Sequence, residues 1–248
     1  MVLLLEDKLT KAKEMIEREL KNETQIGAEY NDDYCAIVEN LNYSFYSKLP
    51  AARAYHGVSK MAIVLDNCPW VIKVPFNGTW DNWYDEDEDE YHEEWREFCH
   101  ADDSEEGSFD YCCNELDKYE KAVECGVGIF FAETKFYGFT EDGYPLYLQE
   151  KIRVDSHIRY VDMPKASEDS LSLVKSKVDS RDYQWSKLSR DWMALAIDHY
   201  GEKLVEKFVD FICNIEPEIG QDLHAGNYGY REDGSPCILD FSGWRDWD

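Results

Sequence analysis

The sequence predicts an α+β protein, and three observations predict it. Short runs rich in β-branched and aromatic residues, separated by glycine, Asp-Asn and other turn residues, recur before residue 152. Apolar residues at helical spacing mark residues 3–21 and 111–125. A longer helical run occupies residues 190–215. With 248 residues, 44% of them hydrophobic and 15% aromatic, the chain has material for one large or two small packed cores.

Each element can be justified in order. Leu3, Leu4, Leu9, Ala12, Met15, Ile16 and Leu20 alternate with charges, which predicts an amphipathic helix inside an N-terminal helical segment, 1–41. Residues 42–55 and 59–65 read as strands around Gly57, Asp66-Asn67 as a turn, and Trp70 to Phe76 as a third strand. The segment 77–110 is an acidic insertion in which six acids run from Asp85 to Glu90 among Trp80, Trp83, Tyr84, Tyr91 and Trp95. Like charges repel and resist packing, so a solvated loop is expected there, with a gripping surface for a basic partner as the sharper alternative. Residues 111–125 return to helix, and 133–138 and 144–152 read as two more strands joined by the turn Glu141-Asp142-Gly143. Residues 42–152 thus form a five-stranded lobe with one helix. A polar stretch leads to about Ser189, followed by the helix from Arg190 to Ile215, broken near Gly201, within a second region 153–248.

Charge narrows the partners. With 53 acidic and 26 basic residues the net charge is −27, so nucleic acid and anionic membrane are repelled and a basic protein is the electrostatically easy partner. The apolar run Val2–Leu5 meets Glu6 and Asp7 at once, too short for a signal peptide, and no window reaches the length of a membrane span, so a cytoplasmic protein is expected. Eight cysteines without a C-x-x-C pair read as reduced, buried thiols.

The chemistry is concentrated near the end of the sequence. Asn227 follows Asp222 by five positions in Gly220-Gln221-Asp222-Leu223-His224-Ala225-Gly226-Asn227, and Asp240 follows Asn227 by thirteen in Ile238-Leu239-Asp240-Phe241. Phosphoryl transfer needs a cation on the nucleotide phosphates, an acid to hold that cation, metal ligands, and a group to orient the attacking hydroxyl. Asp222 is the candidate base; Asn227 and Asp240 are hard oxygen donors suited to Mg²⁺. A simple Asp/Asn turn accounts for 222–227, but not for the downstream Leu-Asp-Phe. Lys73, in Val71-Ile72-Lys73-Val74, fits the phosphate-binding lysine, although a lone lysine also guards edge strands. Glu115 is the candidate acid to pair with Lys73, with Glu120 and Glu124 as alternatives. The turn Tyr55-His56-Gly57-Val58-Ser59-Lys60 has a single glycine, and its amides near Gly57 and Ser59 are candidates to cover the phosphates.

These residues resemble those of the protein-kinase-like fold family, and the brevity of the chain is similar to that of the small truncated serine/threonine kinases of phages. The resemblance covers roughly residues 45–248 and is strongest at Lys73 and 222–243. It implies a bilobal fold with a minimal C-terminal lobe ending just after the Asp-Phe metal motif, ATP with Mg²⁺ in a cleft, a hinge near Gln149-Glu150-Lys151 that places Glu150 and Lys151 on the nucleotide, and the host cytoplasm as location if phage-encoded. Gly220-Gln221 replace the His-Arg that precedes the catalytic aspartate, and the sequence runs only eight residues past Asp240, so activity independent of activation-loop phosphorylation is expected. His224 stands where lysine is common, which adds it to the catalytic set and makes Asp-Leu-His-x-Gly-Asn similar to aminoglycoside- and choline-type kinases as well. Ser242 replaces the first glycine of Asp-Phe-Gly. The expected function is an ATP- and Mg²⁺-dependent serine/threonine protein kinase with a basic protein substrate and no direct nucleic-acid binding. The alternatives are a small-molecule kinase, or an idle kinase fold that inhibits a basic, nucleic-acid-binding protein.

Overall fold

The computed structural model describes residues 5–26, 32–50, 52–57, 59–75, 78–85, 90–97, 110–141, 143–180, 185 and 187–242. The chain is α+β and divides into two compact units, Met1–Cys113 with Lys135–Gln149, and Asn114–Thr134 with Glu150–Asp248.

In the first unit, helices α1 (Leu5–Ile26) and α2 (Asp32–Lys48) precede three strands, β1 (Ala52–His56), β2 (Lys60–Leu65) and β3 (Trp70–Pro75). A separate antiparallel pair follows, β4 (Gly78–Asp85) with β5 (Glu90–Glu97). Beyond α3 (Tyr111–Glu124), most of which belongs to the second unit, strands β6 (Thr134–Phe139) and β7 (Pro145–Glu150) complete a five-stranded sheet of order β1-β2-β3-β7-β6. Alternation of side chains across the pleat sends Ala52, Ala54, Met61, Ile63, Leu65, Ile72, Val74, Leu146 and Leu148 into one core. The helical period of α1 delivers Leu9, Ala12, Met15, Ile16 and Leu20 to that same core. The N-terminal helix is therefore part of the sheet's packing rather than an appendage.

Residues 42–48 differ from expectation, being the end of α2 rather than the start of a strand. Tyr43, Phe45 and Tyr46 have strand propensity, but Val38, Leu41 and Phe45 follow helical spacing and are buried, while Tyr43 and Tyr46 face solvent. Burial of that stripe overrides propensity. Asn42 completes the join: its amide donates to the Ala54 carbonyl at 2.9 Å and its Oδ1 accepts from the Ala54 N–H at 2.8 Å. The side chain thereby occupies hydrogen-bonding groups of β1, the edge strand of the sheet.

The acidic insertion also differs, because its flanks are paired strands. The register sets Trp80 opposite Trp95 and Tyr84 opposite Tyr91, with Asp85 opposite Glu90 at the end of the ladder. Residues 86–89 of the acid run, and the side chains of both strands, lie outside the described residues.

In the second unit, the polar stretch after Arg153 contains more structure than expected. Strand β8 (Arg153–Val154) is followed by 3₁₀ turns at Asp155–His157 and Tyr160–Asp162, then by α4 (Glu168–Asp179). Ser167 caps α4, its hydroxyl accepting from the Ser170 N–H, and Glu168 and Asp169 complement the dipole in its first turn. Helix α5 (Arg190–Tyr200) stops at Gly201, whose φ of 83° suits glycine, and α6 (Glu202–Asp210) runs into a π-turn at Phe211–Ile215. The short α7 (Pro217–Gln221) and the hairpin of β9 (Tyr228–Tyr230) and β10 (Pro236–Ile238) end the described fold. Strand β8 joins the hairpin as a sheet of order β10-β9-β8. Phe130, Phe131, Trp192, Phe208, Phe211 and Phe241 dominate the core, with Phe130 stacked on Phe208 at 4.3 Å between ring centroids. Two glycines permit close backbone approaches. A Cβ at Gly220 would stand 2.5 Å from the Ile212 carbonyl oxygen, and one at Gly229 would overlap the Arg153 carbonyl group. The bulk of histidine at position 220 is thus excluded by the π-turn.

Among the described residues six cysteines are unbridged; Cys68 and Cys112 are buried in the first unit and Cys237 in the second. No helix among the described residues is long and apolar enough to cross a membrane.

Candidate functional site

The two sequence offsets have separate structural causes. Asp222 caps α7 at its C-terminal end, its N–H donating to the Ile219 carbonyl at 3.2 Å. The chain then turns through Leu223–Gly226, the Asn227 N–H returning to the His224 carbonyl at 2.8 Å. The buried Asn227 side chain closes this loop, donating through Nδ2 to the Asp222 carbonyl at 2.7 Å. The second offset is the register of the hairpin: Tyr228 pairs with Ile238, so the next residues outward, Asn227 and Leu239, meet. The Asn227 carbonyl accepts from the Leu239 N–H at 2.9 Å and the Asp240 N–H at 3.4 Å. Asp222, Asn227 and Asp240 are therefore brought together, although eighteen positions separate the first from the last.

With Nδ2 engaged, the other end of the Asn227 amide is Oδ1, the atom a hard cation takes. Asp240, two residues past the end of β10, carries the carboxylate of the pair. Among the described residues no three His, Cys, Asp or Glu side chains gather as a metal set. One amide and one carboxylate nevertheless fit Mg²⁺, which takes few protein ligands when it also binds phosphate and water. His224 is exposed, and its Nδ1 accepts from the Gly226 N–H at 3.1 Å.

The sheet behind the loop fixes its position. Strand β8 pairs with β9, Arg153 opposite Tyr230 and Val154 opposite Gly229, and the Ser156 N–H donates to the Ala225 carbonyl at 3.0 Å. Trp192 Nε1 donates to the Gly229 carbonyl at 3.2 Å from α5. Burial, followed by the Asp155 carboxylate, pushes the Tyr230 hydroxyl above its ordinary pKa, so it stays neutral in this support.

Other sequence candidates sit as follows. Glu115 lies on α3 in the second unit and is fully buried. Lys73 lies in the first unit on β3, 5% exposed and opposite Ala62 of β2. Because β3 is the middle strand of five, the edge-guarding role does not apply to Lys73. Gly57 and Ser59 occupy the β1–β2 turn of the first unit, where the Gly57 N–H closes the turn on the Lys60 carbonyl at 2.9 Å; Val58 lies outside the described residues. Glu150 is engaged structurally. Its N–H donates to the Glu133 carbonyl at 2.7 Å, and its carboxylate forms a bidentate pair with Arg231, Oε1 to Nε at 2.8 Å and Oε2 to Nη2 at 3.0 Å. Lys151 is half-buried beside it.

Several supporting residues escaped the sequence reading. Arg231 binds Glu150, the carbonyls of Ile129 and Phe131, and the Tyr200 hydroxyl, tying the hairpin to three other segments. Lys118, on α3, donates to the Ser242 carbonyl at 2.5 Å and to Glu218 Oε2 at 2.8 Å. Asn114, one turn earlier, donates to the same Ser242 carbonyl at 2.6 Å. These partners are about a hundred or more residues apart and leave no local signature. A recess of about 250 Å³ opens there, lined by Asn114, Asp117, Lys118, Lys121, Glu216 and Glu218.

Comparison with protein-family models, with curated proteins and with solved structures finds no match to this chain.

Proposed function

We propose that the chain is an ATP- and Mg²⁺-dependent phosphotransferase of reduced protein-kinase-like fold, and that it phosphorylates a serine or threonine hydroxyl of a protein. The observation that supports this best is the Asn227 side chain, which fastens the loop bearing Asp222 while its own backbone carbonyl accepts from Asp240. One residue thereby bonds to the backbone of the candidate base and to that of the other candidate metal donor.

In this reading the Asp222 carboxylate orients the acceptor hydroxyl and takes its proton. The hydroxyl oxygen bonds to the γ-phosphorus, the bond from that phosphorus to the β–γ bridging oxygen breaks, and ADP leaves. Asn227 and Asp240 would hold Mg²⁺, which would supply positive charge against the phosphate oxygens. Lys73, Glu115 and the turn at Gly57 and Ser59 keep the roles expected of them from the sequence pattern. Glu150 and Lys151 mark the hinge, the Glu150 carboxylate serving through its hold on Arg231. The net charge of −27 favours a basic protein as acceptor.

Titration of Mg²⁺·ATP separates the roles. Asp240→Asn should abolish metal-dependent nucleotide binding, whereas Asp222→Asn should bind almost normally and transfer about 10² to 10⁴ times more slowly. Equal loss of affinity in both variants refutes the assignment. Incubation of the wild type with labelled ATP and lysate identifies the acceptor. A second reading, a small-molecule kinase, is favoured by the placement of His224 in the loop and expects label in a small molecule rather than a protein band. No label in either fraction is the outcome expected of an idle acidic binder.

A further inference from the structure

We infer that Lys118 is a positioning residue that couples the segment bearing Asp222 to the segment bearing Asp240. Its ammonium reaches Glu218, on α7 and four residues before Asp222, and the Ser242 carbonyl, two residues after Asp240. Asn114 holds the same carbonyl from the preceding turn of α3, so two donors on one helix face fix it. A single cation therefore sets the distance between the candidate base and the candidate metal ligand without touching either.

Burial gives the contact its weight. Lys118 is 5% exposed, and a buried ammonium is stable only while its partners stay in place. Removing it takes one donor from the Ser242 carbonyl and one from the Glu218 carboxylate, loosening both segments at once. Lys121, the next residue but two on α3, supplies an internal control. It pairs with Glu216 but its side chain is 48% exposed, and it is paired with no atom of residues 239–242. The same charge change at Lys121 should thus leave the Asp240 segment in place.

The functional half of this inference rests on the phosphotransferase reading, whereas the mechanical half rests on geometry alone. The experiment follows both on the full chain with Lys118→Met, Lys118→Arg and Lys121→Met. Amide hydrogen exchange reports the mechanical half. Lys118→Met should speed exchange at residues 219–223 and 239–242 by about tenfold, the effect of losing one net hydrogen bond, while Lys121→Met leaves 239–242 unchanged. Calorimetric titration of Mg²⁺ in saturating ADP reports the functional half. Lys118→Met should weaken Mg²⁺ by about 10- to 100-fold, as loss of a residue that orients a ligand does, with Lys118→Arg restoring most of it.

If Lys118→Met lowers the melting temperature but leaves exchange in both segments and the Mg²⁺ midpoint at wild-type values, the residue only stabilises the fold and the inference is overturned. Should the wild type bind no Mg²⁺·ADP, the phosphotransferase reading and the functional half fall together, while exchange still decides the mechanical half. Asn114→Ala serves if Lys118→Met does not fold: faster exchange at 239–242 supports the coupling, and unchanged exchange overturns it.

Discussion

Gly229→Ala should be among the most damaging single-atom-scale changes in the second unit. An added Cβ would overlap the Arg153 carbonyl oxygen and stand 2.7 Å from the carbonyl carbon and 3.0 Å from Val154 Cα, all backbone atoms that no rotamer change can move. Strand β8 must withdraw, loosening the pairs Arg153 to Tyr230 and Val154 to Gly229 and straining the bond from Trp192 Nε1. Overpacking of this kind costs about 1–3 kcal/mol and each lost hydrogen bond about 1 kcal/mol, which together give about 3–5 kcal/mol. At about 2–4 °C per kcal/mol for a chain of this size, the melting temperature should fall by about 6–20 °C. Gly57→Ala is the matched comparison. Its nearest non-local atom would be the Lys60 carbonyl oxygen at 3.8 Å, so stability should hold or rise by about 0.4–1 kcal/mol through the unfolded chain. Thermal melts by circular dichroism on both variants decide the matter. Equal melting temperatures, or a Gly229→Ala protein within about 2 °C of wild type, would refute the close-approach argument.

Three further outcomes are expected. Arg231→Met should take a donor from Glu150 and from the Ile129 and Phe131 carbonyls, lowering stability by about 2–4 kcal/mol, read as a lower urea midpoint with an unchanged slope. Burial alone would raise the Asp198 carboxyl, but the Ser167 N–H and the Ser170 and Ser167 hydroxyls hold it below the usual carboxylate range. Its stabilising contribution is therefore present above the unfolded-state value near about 3.9 and is lost as pH falls through the lower native value. Asp198→Asn should accordingly flatten the loss of melting temperature below about pH 4. Removing residues 78–97 takes out a two-stranded sheet separate, among the described residues, from the five-stranded one, so the five-stranded sheet should persist while capture of polylysine weakens, with the difference shrinking as salt rises. Unfolding of the deleted protein, or unchanged capture at low salt, would count against the hairpin as a basic-partner surface.

Legibility in the sequence followed the range of the interactions. Strands β2, β3 and β7 were readable because Ile63, Ile72 and Leu146 sit in short apolar runs bounded by turn residues, a local signal. The break at Gly201 was readable because a positive φ demands a particular residue. Residues 42–48 were misread because the aromatic propensity of Tyr43 and Tyr46 competes with a helical stripe visible only over a longer window. The proximity of Asp222, Asn227 and Asp240 was legible because a local loop and a local hairpin produce both offsets. Lys118 and Arg231 were not, since their partners come from segments that fold beside them only through tertiary packing.

The buried thiols carry a practical consequence. Cys68 and Cys112 lie within the first unit and Cys237 within the second, each at most 4% exposed. Burial, its effect eased only in part by Arg231, pushes the Cys237 thiol well above its ordinary pKa, so little thiolate exists there for an alkylating reagent to meet. Modification must wait for the surrounding structure to open, which turns each cysteine into a built-in clock. Pulsed alkylation read by mass spectrometry would time the opening of the two units separately in one untagged sample, and on the proposed phosphotransferase reading Mg²⁺·ATP should slow the clock of the unit that binds it.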